Sequence, residues 1–255
     1  MFSLEMQRSF SENGGFMGTS FTPSKQDVER YRRLRALNMD LNHRMIKTIP
    51  RHAYDEVGDA IGIRQNGVLV FDSMDMSSVL MDCCLYDWFE HGKNVVQRYA
   101  KSHPAKPRTD ESFLLSACVQ AKYRILMVRS TVSGSGLRCH DVLNNEDLFV
   151  MDLGLSRSLP NGKGTLATRT IPFGEYSITS GAGLPINSEK TVQALSRLEG
   201  GPDDMIRAPG RTALLIVRAC LATGAADHVM YETPESKTEK TSARAARWWK
   251  FKRHS

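Results

Sequence analysis

The sequence predicts an α+β fold with a helical N-terminal half, a small antiparallel β sheet or partly open barrel, and two C-terminal helices. Three observations support this class. Apolar residues recur at three- and four-residue spacing up to about residue 132, which is typical of amphipathic helices. Short apolar runs separated by turn residues follow to about residue 186, which is typical of closely spaced strands. Helical spacing then returns over residues 187–231.

The helical half is predicted to span residues 23–132, after a polar and aperiodic stretch at residues 1–22 that predicts a flexible arm. Ser24 is a predicted N-cap, because Asp27 follows three residues later and can bond the first-turn amides. The first helix is expected to end before a proline at position 50. A β-branched run at residues 67–71 predicts one strand, which has no obvious partner except the later sheet.

Three further helices are predicted in this half. The first covers residues 52–60. The second covers residues 76–90, and Gly92 is expected to interrupt it before a continuation to residue 101. The third begins after Thr109 as N-cap and has the clearest amphipathic pattern of the chain. Its apolar stripe consists of Phe113, Leu114, Ala117, Cys118, Ala121, Ile125 and Val128.

Residues 133–186 predict the small β module. Its four strands are expected at residues 137–143, 148–153, 166–171 and 176–179, with Asn-, Gly- and Pro-containing turns between them. Two helices are predicted near residues 187–199 and 210–223. Residues 232–255 lack apolar periodicity and predict a disordered basic tail.

The β module resembles one found in uncharacterised bacterial proteins that often also carry a SEC-C zinc knuckle. The residues on which the resemblance rests are 141–150, 155–159, 166–169 and 180–183. It covers roughly residues 60–190 and implies a cytosolic, non-catalytic protein. The knuckle of that family is Cys-rich and C-terminal. No cysteine follows Cys220 in this chain, so the knuckle cannot form here.

The composition favours a cytoplasmic protein of bacterial type. Hydrophobic residues make up 41% and charged residues 24% of the 255, as in ordinary globular chains. The longest apolar run, at residues 213–217, is far short of the roughly 20 residues that a membrane span needs. Charged residues interrupt residues 1–20, which predicts no signal peptide. The five scattered cysteines predict reduced, buried thiols rather than a disulfide network.

No catalytic residue, metal ligand or cofactor is predicted from motifs. Ser156, between Gly154 and Ser158, resembles a nucleophile elbow, but a turn between strands is favoured because Ser158 replaces the second glycine. His52 and Glu56 share one helical face, yet no third ligand with metal-site spacing accompanies them. The Ser-Gly-Ser-Gly stretch at residues 133–136 lacks the context of a phosphate-binding loop. An enzyme with an unrecognised site remains an alternative.

Charge is concentrated at the two ends of the chain. The formal net charge is +6, and residues 237–255 alone carry seven basic side chains against Glu239. Residues 24–51 carry eight basic side chains against three acidic ones. The predicted nucleic-acid or anion-binding residues come from these two segments: Arg32, Arg33 and Arg35 in the first, and Arg244, Arg247, Trp248, Trp249, Lys250, Lys252 and Arg253 in the tail.

Several interpretations of the tail stay open. Its cations and paired indoles suit phosphates and unpaired bases, and they also suit an anionic membrane surface or an acidic protein. A disordered solubilising end, or a Trp pair that packs on the body, would have the same composition. The first functional hypothesis is therefore a non-enzymatic binding or adaptor protein with a protein partner. The second is a nucleic-acid-binding protein that uses the tail and the Arg-rich first helix.

Overall fold

Eight helices and ten strands form the part of the chain that the structure, a computed structural model, describes: residues 21–159, 163–186, 188–196 and 210–225. The helices are α1 (Lys25–Ile46), α2 (Arg51–Ile61), α3 (Met74–Tyr86), α4 (Val95–Ser102), α5 (Asp110–Val119), α6 (Leu155–Ser158), α7 (Glu189–Ser196) and α8 (Arg211–Leu221). The strands are β1 (Arg64–Gln65), β2 (Val68–Leu69), β3 (Phe89–Glu90), β4 (Lys93–Asn94), β5 (Lys122–Val132), β6 (Gly136–Asp141), β7 (Glu146–Met151), β8 (Gly164–Phe173), β9 (Tyr176–Thr179) and β10 (Leu184–Pro185). The predicted α+β class is confirmed.

Helix α1 begins where the sequence predicts. The backbone N–H of Asp27 donates to Ser24 Oγ at 3.2 Å, and the N–H of Ser24 donates to Asp27 Oδ2 at 2.8 Å. This reciprocal pair is a capping box, which satisfies amides that have no partner within the helix. Thr109 caps α5 in the same way through Ser112, so both predicted N-caps are confirmed.

Two short hairpins contradict the predicted elements. The strand expected at residues 67–71 pairs with β1 of its own hairpin and not with the later sheet, because Asn66 and Gly67 form a tight turn with positive φ. The helical stretch expected over residues 76–90 ends earlier, at Tyr86, and the interruption expected at Gly92 is a hairpin rather than a simple break. A β3–β4 hairpin follows, and Asn94 then caps α4, so a separate helix starts there.

The predicted helix after Thr109 is also shorter than its apolar stripe suggests. Helix α5 ends at Val119, and Ile125 and Val128 belong to strand β5. Five consecutive residues of this strand, 124–128, are buried, because both faces of the strand are covered. A strand buried on both faces is continuously apolar, and periodicity alone does not distinguish such a run from a helix. The β module therefore begins at residue 122.

Five strands close into a barrel. Going round the barrel, the order is β5, β6, β7, β9 and β8, and β8 pairs again with β5. All of these pairs are antiparallel except β7–β9, where Val150 lies opposite Ser177 in a parallel register. Closure depends on the length of β8, whose residues 164–170 pair with β5 while residues 170–173 pair with β9. Strand β10 adds to the free part of the same β8 edge.

The interior of the barrel has its own apolar core. Its buried members are Leu126, Val128, Leu137, Cys139, Val150 and Leu166. Leu155 and Leu159, from α6 and the residue after it, pack against this cluster. Helix α6 lies between the third and fourth barrel strands and therefore covers one end of the interior.

The helices pack on the outside of the barrel through a second, larger core. This core joins helix residues such as Leu34, Leu80 and Leu114 to the barrel residues Ile125 and Ile171. Helices and barrel consequently share one continuous hydrophobic core. No helix among the described residues is long and apolar enough to cross a membrane.

Candidate functional site

The outer surface of β6 and β7 carries the candidate site. Because side chains alternate along a strand, every second residue of each strand lies on this surface. Register places Gly136 opposite Met151, Arg138 opposite Phe149, and His140 opposite Asp147. Arg138, His140 and Asp147 are partly exposed, whereas Phe149 and Met151 on the same surface are buried in the core that the helices contribute to.

A cation lies over an aromatic ring on this surface. The guanidinium carbon of Arg138 is 5.7 Å from the ring centroid of Phe149, within the range of a cation–π interaction. Phe149 itself is fully buried. Arginine is suited to such a position because its planar guanidinium can stack on rings and still donate to phosphate or carboxylate oxygens.

His140 and Asp147 form a cross-strand pair next to Arg138. His140 Nδ1 and Asp147 Oδ1 are 2.8 Å apart, and the two side chains are 17% and 21% exposed. The bond holds the imidazole in one orientation, with Nε2 left for contacts outside the pair. The pair therefore orients the ring of His140 on this surface.

An aromatic cradle, formed by Phe149 and Tyr176, lies beside Arg138 and holds the ring of Phe21. Phe21 is stacked on Tyr176 at 5.5 Å between centroids and 27° between planes. It meets Phe149 edge-on at 5.2 Å and 63°. Phe173, at the end of β8, stacks in turn on Tyr176 at 6.1 Å. The Oη of Tyr176 is buried and has no hydrogen-bond partner among the described residues.

Helix α1 is fixed beside this cradle. Arg35 donates from Nη1 to the backbone oxygen of Thr179 at 2.9 Å, which ties the helix to the end of β9. Burial, together with the negative charge of Asp152, raises the pKa of Tyr31 to about 12. Tyr31 therefore remains a neutral phenol that packs the helix on the barrel.

The three arginines of α1 predicted as anion-binding residues have different surroundings. Arg32 is exposed. Arg33 lies 3.7 Å from Asp110 in an exposed ion pair, and Arg35 is committed to Thr179. Arg32 and Arg33 thus lie on an accessible helix face, whereas Arg35 also has a role in positioning the helix. The predicted tail residues, 244–253, lie outside the described residues.

Two buried clusters of charged side chains join elements of the fold to one another. Arg124 of β5 pairs with Asp141 of β6 and with Glu146 of β7, and it donates to Thr170 Oγ1 of β8 at 2.8 Å. Hydrogen bonds thus satisfy the guanidinium where it leaves water. The cluster joins β5, β6, β7 and β8 at one end of the barrel.

The second cluster joins the barrel to α3. Arg169 donates from Nε to Asp82 at 2.9 Å and also pairs with Asp87. Its guanidinium carbon lies 4.4 Å from the ring centroid of Tyr86 and 5.3 Å from that of Tyr123. Burial raises the pKa of Asp87 to about 7, although the neighbouring Arg169 opposes this shift. The raised pKa follows from desolvation of the buried carboxyl group.

The side chains of the candidate sequence motifs are buried or hydrogen-bonded within the fold. Ser156 is buried in α6 and donates from Oγ to the backbone oxygen of Leu153 at 2.9 Å, so it is not presented as a nucleophile. Glu56 accepts a hydrogen bond from Trp88 Nε1 at 2.8 Å. All five cysteines are free and buried. No group of three or more His, Cys, Asp or Glu side chains in the described residues is placed to hold a metal ion.

Sequence reasoning missed the members of this site. Alternation along β6 would have placed Arg138 and His140 on one face, since both fall in a predicted strand. Phe21 lies in the predicted arm, and nothing local indicates that it packs against Phe149 and Tyr176. Only the closure of the barrel brings these three rings together.

The comparisons with known proteins identify a family but no activity. Residues 25–200 match the model of a family described as a family of unknown function (DUF7986), and the chain belongs to this family. The match includes all of α1 to α7 and the whole barrel. No curated protein and no solved structure matches the chain. The resemblance to proteins with a SEC-C zinc knuckle therefore stays a prediction.

Proposed function

We propose that this protein is a non-enzymatic binding protein that takes single-stranded nucleic acid on the outer surface of β6 and β7. The observation behind this proposal is the strand order of the barrel. In chain order the five barrel strands are β5, β6, β7, β8 and β9. The first of them pairs with the second and the fourth, the third and fifth pair in parallel, and helix α6 lies between the third and the fourth. This is the arrangement of the OB fold, whose second and third strands and two adjoining loops bind oligonucleotides or oligosaccharides.

A fold alone does not define a function, so the chemistry of the surface has to support the proposal. Arg138 supplies a cation that can pair with a phosphate, and Phe149 and Tyr176 supply rings next to it. Proteins that bind single strands combine such cations with aromatic side chains on which bases stack. Oligosaccharide binding would need a row of hydrogen-bonding side chains on the same surface, and there His140 and Asp147 are already bonded to each other.

Two open loops border the surface. The loop between β5 and β6 contains Gly134, and the loop between β8 and β9 contains Gly174; both glycines have positive φ. No heavy atom lies within 4 Å of a Cβ built on either glycine, so both loops are open to solvent. A nucleic-acid strand crossing from one loop to the other would pass over Arg138 and the aromatic cradle.

The charged ends of the chain supply a sequence-independent contribution to this proposal. The net charge of +6 favours attraction of a polyanion, and Arg32 and Arg33 are accessible beside the barrel. The tail residues Trp248 and Trp249 would add stacking outside the barrel. This part of the proposal predicts affinity that falls steeply with salt.

The test is fluorescence anisotropy with labelled 12-mer DNA and RNA, single- and double-stranded, on the full chain at low and physiological salt. We expect single strands to bind, and Arg138→Gln to weaken binding and to lower the slope of log K against log salt by about 0.7. The matched control is Arg218→Gln, which removes one charge from an exposed position on α8. Equal effects of the two substitutions would contradict a site at Arg138, and absence of binding would contradict the function.

A second candidate function is the binding of a protein partner, as in an adaptor. A groove of about 430 Å³ lies between α4, the following linker and α5, and its apolar lining consists of Ala100, Pro104, Ala105, Leu115 and Val119. Val119 is 38% exposed in it. An apolar peptide segment suits such a groove. This function is favoured if no oligonucleotide binds and if Val119→Glu abolishes a salt-resistant protein complex isolated with the full chain.

A further inference from the structure

We infer that the cradle of Phe149 and Tyr176 is a stacking subsite for one unpaired nucleobase, and that Phe21 fills it in the free protein. This inference rests on the proposed function and specifies where the base lies. It also makes the N-terminal segment a competitor of the ligand. Phe21 lies outside the barrel, yet its ring contacts both Phe149 and Tyr176.

The geometry of the cradle suits a flat ring. Phe21 stacks on Tyr176 with 27° between the planes, and Phe149 supports the same ring from its edge at 5.2 Å. A nucleobase has a π-face on each side and can take this position in the same way. Stacking of a base on one aromatic side chain contributes about 1–3 kcal/mol by alanine substitution. Phe21 thus occupies the position in which a base would stack on Tyr176.

The hydroxyl of Tyr176 indicates that Phe21 is an incomplete occupant. Tyr176 is only 5% exposed, and its Oη has no hydrogen-bond partner among the described residues. A buried hydroxyl without a partner is unfavourable, because the group has lost its bonds to water. A phenylalanine ring cannot accept from this hydroxyl. A nucleotide whose sugar or phosphate oxygen reaches past the rim of the Tyr176 ring can accept from it.

One cation flanks the cradle at short range, since Arg138 lies over Phe149 on the β6 side. The charges around Tyr176 are mixed: Arg30 opposes the rise in the pKa of Tyr176 that burial causes, whereas Asp27 and Asp110 add to it. A strand that places one base in the cradle would therefore bring an adjoining phosphate toward Arg138.

The short connection between Phe21 and α1 allows a base to replace the Phe21 ring in the cradle. Phe21 precedes the helix by a short segment, and Ser24 fixes the first turn of α1 through its capping box. Residue 23 is proline, which fixes its own φ and restricts Thr22. The ring therefore leaves the cradle by rotation about the side chain and backbone of Phe21, and α1 does not have to unfold. Phe21 is partly exposed, which gives an incoming base access to one side of it.

The first experiment compares Phe21→Ala with the unchanged full chain in titrations with a fluorescent single-stranded 12-mer. We expect binding to become roughly five- to tenfold tighter, because one competing stack is removed at the low end of the stacking range. The matched control is Phe113→Ala, which removes a ring that is 53% exposed on α5 and is expected to leave affinity unchanged. Thermal unfolding of each variant shows whether it is folded.

The outcomes separate this inference from the proposed function. Absence of binding by every version contradicts the function. Binding that is unchanged or weaker in Phe21→Ala overturns the inference and leaves the function standing, since Phe21 would then be neutral or part of the platform. Tyr176→Phe adds a test of the hydroxyl, and we expect it to weaken oligonucleotide binding severalfold without lowering the unfolding midpoint.

A direct readout of displacement uses Phe21→Trp labelled with 5-fluorotryptophan. The unchanged chain has three tryptophans, so the variant adds one ¹⁹F resonance that reports on position 21. We expect saturating oligonucleotide to shift this resonance toward the value of a solvent-exposed indole. A bound state in which the resonance stays at its buried value would overturn the inference.

Discussion

Arg169 of β8 donates to Asp82 of α3 across 87 residues of sequence, with Nε and Oδ2 2.9 Å apart and both side chains buried. The same guanidinium pairs with Asp87 just beyond the end of α3. The contact therefore ties the barrel to the helices at a point that water does not reach.

Removing Arg169 should strongly destabilise the whole protein. Arg169→Leu leaves Asp82 and Asp87 buried side by side without their cation, and breaking a buried pair in this way costs about 3–5 kcal/mol. Urea unfolding followed by circular dichroism measures the loss. Arg33→Ala is the control, because its exposed ion pair with Asp110 contributes less than about 1 kcal/mol. Similar losses in the two variants would contradict a stabilising role for the buried cluster.

Asp87 should contribute to the free energy of unfolding by an amount that decreases as pH rises. Burial raises the pKa of Asp87 to about 7 in the folded protein, above the ordinary value of 3.8 that applies when the chain is unfolded. Between about pH 4 and about pH 7 the folded state keeps a proton on Asp87 that the unfolded state has lost. The stabilisation from Asp87 is therefore complete below about pH 4 and is lost as pH rises to about 7.

The measurement compares urea midpoints at pH 5 and pH 7.5 in the unchanged chain and in Asp87→Asn. We expect the substitution to remove part of the decrease in stability between pH 5 and pH 7.5. Asp59→Asn, at an exposed position paired with Arg64, should leave the decrease as it is. A pH dependence that is the same in all three proteins would show that Asp87 is ionised throughout this range.

The five thiols should be unreactive in the folded protein. All are buried, and burial raises the pKa of Cys84, Cys118 and Cys220 to about 12, so almost no thiolate is present at neutral pH. We expect Ellman's reagent at pH 8 to label none of them rapidly and to label all five in denaturant. One thiol that reacts within seconds in the folded protein would contradict this and would revive the enzyme hypothesis.

Gly136 should tolerate no side chain at the start of β6. A Cβ built at this position lies 2.3 Å from the backbone oxygen of Val150 and 2.9 Å from Met151 Cα. We expect Gly136→Ala to lower the free energy of unfolding by about 1–3 kcal/mol, as overpacked sites do. The control is Gly154→Ala, where the nearest heavy atom is 3.5 Å away. Equal stability of the two variants in urea would contradict the close approach of β6 and β7.

The local elements were predictable because their causes are local. The capping box of Ser24 and Asp27 involves residues three apart, and the predicted strands of the β module end at turn residues that lie next to them in sequence. The start of β5 was not predictable from spacing. Ile125 and Val128 fit a helical stripe, and the strand is apolar on both faces because the barrel core and the helical core both contact it.

The candidate site shows the same division between local and distant causes. Composition and near neighbours are enough to predict the α+β class, the two N-caps, the four later barrel strands and the concentration of charge at both ends. Long-range packing was needed to close the barrel through β8, to bring Arg169 to Asp82, and to place Phe21 against Phe149 and Tyr176. These contacts join residues far apart in the chain, and their free energy depends on packing and desolvation that no local pattern records.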